Sequence, residues 1–157
     1  MKHTIQALVE NRFGVLSRVA SLFSARGYNI ESLAVGETND STTSCMTIVV
    51  DAEDERILEQ IKKQLNKLID VITVIDFTRR EYVDRDLILA KVLKNEKNRK
   101  TIEKLVKKFP IKIAEETKEV FLLEICYNRH QEDEILKELK NLGVKELVRT
   151  GRIAIGK

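Results

Sequence analysis

The stretch Thr4-Ile-Gln-Ala-Leu-Val-Glu-Asn-Arg-Phe-Gly-Val-Leu-Ser-Arg-Val19 changes its periodicity halfway along. Thr4 to Val9 reads as a strand, ended by the turn-forming residues Asn11 and Gly14. From there Val15, Leu16, Val19, Leu22 and Phe23 recur at helical spacing, with Ser17, Arg18, Ser21 and Ser24 on the other side and a stop at Gly27. The elbow between strand and helix has a chemistry of its own. A helix N-terminus presents unpaired N–H groups and the positive end of the helix dipole, so it attracts anions. Asn11 offers a polar side chain, Gly14 a bare backbone, and Phe13, Val15 and Leu16 an apolar lining. Together these suit the amine, carboxylate and aliphatic side chain of an amino acid. A second reading stays open at this point: Gly14 serves only to make a tight turn.

Working outward, Ile30 to Glu37 and Thr43 to Asp51 read as strands around a turn at Asn39-Asp40-Ser41. Asp51 or Asp54 can cap a helix carrying Ile57, Leu58, Ile61, Leu65 and Leu68, and Val71 to Phe77 closes the unit as a fourth strand. The second half repeats this order. Strands at 87–93 (within the stretch 83–94), 112–116, 120–127 and 144–149 alternate with helices built on Ile102, Leu105, Val106 and Phe109 and on Ile135, Leu136, Leu139 and Leu142. The expected fold is therefore α+β: two tandem ferredoxin-like βαββαβ units, each an antiparallel four-stranded sheet with two helices on one face. Residues 1–80 form the first domain and 81–157 the second. In the first unit Cys45, Thr47 and Val49 alternate with Met46, Ile48 and Val50, so both faces of the sheet look apolar. An uncovered apolar face marks an interface, which predicts self-association or a permanent partner.

Composition narrows the function. Residues 1–80 hold 10 Lys and Arg against 11 Asp and Glu, and residues 81–157 hold 18 against 14. Neither half has the basic excess of a nucleic-acid binder. RNA-recognition domains share the βαββαβ order but stack bases on strand aromatics, and Thr4 to Val9 and Thr43 to Val50 contain none. No apolar run approaches the roughly 20 residues of a membrane span, and the first residues pass straight into a strand, so a cytoplasmic location is expected. Cys45 and Cys126 are far apart in sequence and read as buried reduced thiols. His3 and His130 are isolated, and no nucleophile–base pair, phosphate loop or metal-ligand set is visible. Catalytic and metal-binding residues are expected to be absent.

The run Asn11-Arg-Phe-Gly-Val-Leu-Ser-Arg-Val-Ala-Ser-Leu-Phe-Ser-Ala-Arg-Gly-Tyr-Asn-Ile-Glu-Ser-Leu33 resembles the opening of the small regulatory subunits of acetolactate synthase (acetohydroxyacid synthase), whose N-terminal half is an ACT-type domain. The likeness continues through Ser44-Cys-Met-Thr-Ile48 and Leu58 to Val71, and resumes at Tyr82-Val-Asp-Arg-Asp-Leu-Ile-Leu-Ala-Lys91. It is dense over residues 4–93 and thinner afterwards. The resemblance implies a non-catalytic subunit that raises the activity of a large subunit and confers feedback inhibition by valine in branched-chain amino-acid synthesis. Thiamine diphosphate, Mg²⁺ and FAD would sit on that large subunit, with no cofactor in this chain.

The resemblance also implies a homodimer through the ACT domain, with the effector between two copies. Asn11, Gly14, Val15 and Leu16 would come from one copy and Asn29 and Ile30 from the other. The Gly14, Val15 and Leu16 amides would hold the carboxylate, and the Asn11 and Asn29 side chains the ammonium. Gly36, where relatives often carry alanine, enlarges the pocket slightly and leaves leucine and isoleucine open beside valine. The second unit lacks the glycine elbow: Leu93-Lys-Asn-Glu-Lys-Asn-Arg-Lys-Thr101 reads as structural or as part of the large-subunit contact. The alternative is an ACT-type sensor serving a different biosynthetic enzyme, against which the Tyr82-Val-Asp-Arg-Asp86 continuation argues.

Overall fold

The structure is a computed structural model that describes residues 2–52 and 55–157. Asp54, a candidate helix cap, lies outside the described residues. The chain divides into two units, Met1–Val83 with Arg152–Lys157, and Asp84–Gly151. The boundary drawn from sequence lies after residue 80. The last six residues differ, because they join the first unit rather than the second.

The first unit runs β1 (Lys2–Glu10), α1 (Val15–Ser24), β2 (Ile30–Glu37), β3 (Thr43–Asp51), α2 (Glu55–Leu65) and β4 (Val71–Asp76). Its sheet has the order β2-β3-β1-β4, every neighbour antiparallel. Period-2 alternation sends Ile5, Ala7 and Val9 of β1 and Met46, Ile48 and Val50 of β3 to one face, where Val15, Val19, Phe23, Leu58, Ile61 and Leu65 cover them. Burying each such side chain contributes roughly 1.5–3 kcal/mol, so this layer accounts for the positions of α1 and α2.

The opposite face is not bare. Thr4, Thr47 and Val49 are buried there, and residues 152–157 attach on this side through Gln6 and Ser32. The expectation of an uncovered apolar face is corrected: the chain's own end occupies part of it.

The second unit runs β5 (Tyr82–Leu93, entered from the first unit), α3 (Glu96–Lys108), β6 (Ile111–Glu116), β7 (Val120–Tyr127), α4 (Glu132–Leu142) and β8 (Val144–Arg149), in the sheet order β6-β7-β5-β8. Its core joins Ile88, Ala90 and Val92 to Phe121, Leu123, Ile125 and Tyr127 under Ile102, Leu105, Ile135 and Leu139. Cys126 falls between the inward residues of β7 and is exposed, while Cys45 is half-buried; both are free thiols. The expectation of two buried thiols is therefore corrected for Cys126 by strand alternation. One element was not anticipated, the strand β9 (Ile153–Gly156), which pairs with β5. Among the described residues no helix is long and apolar enough to cross a membrane.

Candidate functional site

At the end of β1 the chain is tied down before it turns. The Glu10 N–H donates to the Asp70 carbonyl at 2.8 Å and the Asn11 N–H to the Thr42 carbonyl at 2.7 Å. Gly14 then adopts φ 82°, ψ −4°, the left-handed conformation that other residues enter only with strain, and it caps α1 without any side-chain hydrogen bond. The Val15 N–H reaches back to the Arg12 carbonyl at 3.3 Å. The Gly14, Leu16 and Ser17 amides have no acceptor among the described residues. This helix N-terminus is open.

The second unit treats the equivalent position differently. Asn95 caps α3 by accepting from the Asn98 N–H at 2.8 Å, and the buried Asn98 amide donates to the Leu93 and Leu142 carbonyls. That terminus is closed by its own chain. The absence of a glycine elbow in the second unit thus corresponds to a self-satisfied cap.

Four of the candidate residues meet at the elbow, with different roles. The Asn11 side-chain amide donates to Glu37 Oε1 and to the Ser41 carbonyl, each at 2.9 Å, so its Oδ1 is the atom left to accept. Gly14 and Leu16 offer open amides. The Val15 side chain is 3% exposed and packs in the core, so its reading as a pocket-lining residue is corrected. Phe13 is fully exposed and Leu16 is 46% exposed, an apolar pair standing beside the open amides.

Asn29 and Ile30 are not at the elbow. Ile30 pairs with Val50 at one end of β3, while Glu37, Asn11 and Glu10 gather around residues 42–44 at the other. Ser44 and Val50, which pair with Glu37 and Ile30, are six positions apart along β3, roughly 20 Å. A single chain cannot bring them together, and Asn29 is exposed while Ile30 packs on the core.

Three residues that sequence reasoning did not single out complete the elbow. Arg18 places its guanidinium over Gly14, with Nη1 3.1 Å from where a Cβ there would lie. Its Nε donates to Asp70 Oδ2 at 2.7 Å, and that carboxylate is only 9% exposed. Glu37 holds Asn11, as above. A signal for Arg18 exists in the sequence: a basic residue four positions after the capping glycine runs against the preference for acidic residues at a helix start, and α1 has no acidic residue in its first turn. Arg18, paired with Asp70, thus lies beside the open amides at the helix start, and Glu37 lies beside Asn11.

At the other candidate places the chemistry is structural. Asp86, 3% exposed, accepts from the Tyr127 hydroxyl at 3.1 Å and from Arg149 and Thr150. Burial and the neighbouring Asp86 charge push the Tyr127 phenol above its ordinary range. The Arg129 N–H donates to Asp84, which orders the Asn128-Arg129-His130 loop ahead of α4. No group of three or more metal-ligating side chains occurs among the described residues.

Family comparison places the whole chain. Residues 5–73 match the profile described as an AHAS small subunit-like ACT domain, and residues 85–157 match that described as the small subunit of acetolactate synthase. The chain is 42% identical over 155 residues to an acetolactate synthase small subunit from Mycobacterium bovis, covering 99% of this chain and 92% of that one. It is 37% identical over 157 residues to one from Bacillus subtilis, covering 100% and 91%. The crystal structure of the acetolactate synthase small subunit from Thermotoga maritima superposes with a TM-score of 0.87 at 34% identity, covering 100% of this chain and 98% of that one. The chain belongs to the acetolactate synthase small-subunit family.

Proposed function

We propose that this chain is a non-catalytic regulatory subunit that raises the activity of a thiamine-diphosphate-dependent large subunit and makes it sensitive to valine. The observation that carries the reading is the contrast between the two helix starts: α1 is left open beside Arg18, Asn11 and Glu37, whereas α3 is closed by Asn95 and Asn98. An open cap flanked by both charges and by exposed Phe13 and Leu16 fits a small aliphatic amino acid. Thiamine diphosphate, Mg²⁺ and FAD belong to the large subunit in this reading, and the assembly is cytoplasmic.

The effector lies between two copies of the chain. Asn11, Gly14, Leu16 and the Val15 backbone come from one copy, and Asn29 and Ile30 from the other. The roughly 20 Å between these sets within one chain supports sharing. The unpaired edge of β2, which is terminal in its sheet, is a surface through which the copies can meet. On the second unit, Leu89 and Val148 pair across β5 and β8 and are about half exposed, which suits a protein contact.

Gly36 is exposed, and a Cβ added there meets nothing within 4 Å in one chain, so leucine and isoleucine remain candidates beside valine. Calorimetric titration of valine into the purified chain tests the site, with Gly14→Asp as the control. A carboxylate at position 14 would meet Arg18 and occupy the place of the effector's own. Heat of binding in the wild type and none in the variant supports the reading; a wild type that binds neither valine nor leucine nor isoleucine refutes it.

A further inference from the structure

After β8 the chain passes through Gly151 and returns to the first unit as Arg152–Lys157. Besides the pairing of β9 with β5, several contacts hold this segment. The Arg152 N–H donates to Ser32 Oγ of β2 at 2.9 Å, and the Ala154 carbonyl accepts from Gln6 Nε2 of β1 at 2.9 Å. Gly156 lies against Phe77, where an added Cβ would sit 3.6 Å from the ring. The Lys157 N–H donates to the Glu81 carbonyl at 3.1 Å. In the order β2-β3-β1-β4 these attachments run from one edge of the sheet to the connection beyond the other. The segment is a strap across the helix-free face, with Arg152 8% and Ala154 7% exposed.

The β2 attachment falls at an irregular point. Ile30 pairs with Val50 and Ser32 with Val49, so Glu31 is an extra residue on β2. Such a bulge bends a strand and re-aims the side chains next to it. The residues next to it on one side are Asn29 and Ile30, and the residue fixed on the other is Ser32. The hydrogen bond from Arg152 ties down Ser32 directly beside the bulge.

We infer that the strap Arg152–Lys157 is a positioning element for the half-site at Asn29 and Ile30, acting through Ser32 and the bulge at Glu31; this rests on the effector reading proposed above. The strap touches no effector itself. It fixes the backbone from which Asn29 reaches the neighbouring copy's elbow.

The test is calorimetric titration of valine, leucine and isoleucine into the full chain, its Ser32→Ala, Ser32→Thr and Gln6→Met variants, and a chain ending at Gly151, with thermal melts alongside. Loss of one hydrogen bond predicts affinity about two- to tenfold weaker for Ser32→Ala at a melting temperature close to that of the wild type. Ser32→Thr, which keeps the hydroxyl, is expected within about twofold of the wild type. Gln6→Met should weaken binding in the same direction, and the shortened chain more than either. If the full chain binds but Ser32→Ala binds equally tightly, or Ser32→Thr is as weak as Ser32→Ala, the strap has no positioning role and the effector reading stands. If the full chain binds none of the three amino acids, the effector reading itself fails. Should the shortened chain not fold, the point variants decide alone.

Discussion

Gly14→Ala isolates the physical property on which the elbow depends. The residue sits at φ 82°, where an alanine costs about 1–2 kcal/mol of backbone strain. The alanine also stiffens the unfolded chain, which offsets about 0.4–1 kcal/mol. Its methyl would lie 3.1 Å from Arg18 Nη1, the end of a flexible side chain, so the guanidinium shifts rather than clashes. That shift loosens the 2.7 Å bond to Asp70, a pair whose arginine is 47% exposed and solvent-screened, for a further loss below about 1 kcal/mol. The net expectation is about 1–2 kcal/mol of destabilisation. With a urea slope of about 2 kcal/mol/M, the midpoint falls by roughly 0.5–1 M at unchanged slope. Repeating the substitution in an Arg18→Ala background removes the contact and leaves only the backbone cost. Equal or higher stability of Gly14→Ala in both backgrounds would refute the left-handed geometry, and with it the open cap.

Other expectations follow from the second unit and from pH. Asn98→Ala removes the side chain that closes α3 against Leu93 and Leu142, and should cost about 1–3 kcal/mol in urea unfolding. Tyr127 has a folded value raised by burial, so its contribution is complete below about pH 10, its unfolded value, and is lost as pH climbs towards the folded one. Tyr127→Phe should flatten that alkaline decline in a melting-temperature series, while costing about 1–3 kcal/mol at neutral pH for the bond to Asp86. Asp76 behaves oppositely. Burial works against its charge, but hydrogen bonds from Thr78 and the nearby Lys62 outweigh it and hold the carboxyl below its ordinary range. Its contribution is present above about pH 4 and lost as pH falls through the folded value, so Asp76→Asn should lessen acid sensitivity in unfolding series below pH 4.

The two βαββαβ units were readable because strand alternation and helical spacing carry most of the packing information. Val19 and Leu58 both reached the core their helical spacing assigned. What was not readable depends on partners distant in sequence. Arg18 gains its meaning from Asp70, 52 residues away, and Ser32 from Arg152, 120 residues away. The short β9, only four residues long, has too little periodicity to announce itself and is fixed by the surface it meets. Val15 shows a different limit. Its position in the elbow was legible, but the helix phase that turns its side chain inward leaves only its backbone to the site. The exposure of Cys126 was available in principle, since Phe121, Leu123, Ile125 and Tyr127 fix the inward phase of β7 and exclude it.

The most direct measurement is acetolactate formation by a thiamine-diphosphate-dependent large subunit, assayed alone, with this chain, and with this chain and valine. The account predicts that activity rises when the chain is added, that valine then lowers it, and that Gly14→Asp leaves the activation while removing the valine effect. A rate that neither rises on mixing nor responds to valine, leucine or isoleucine would contradict it.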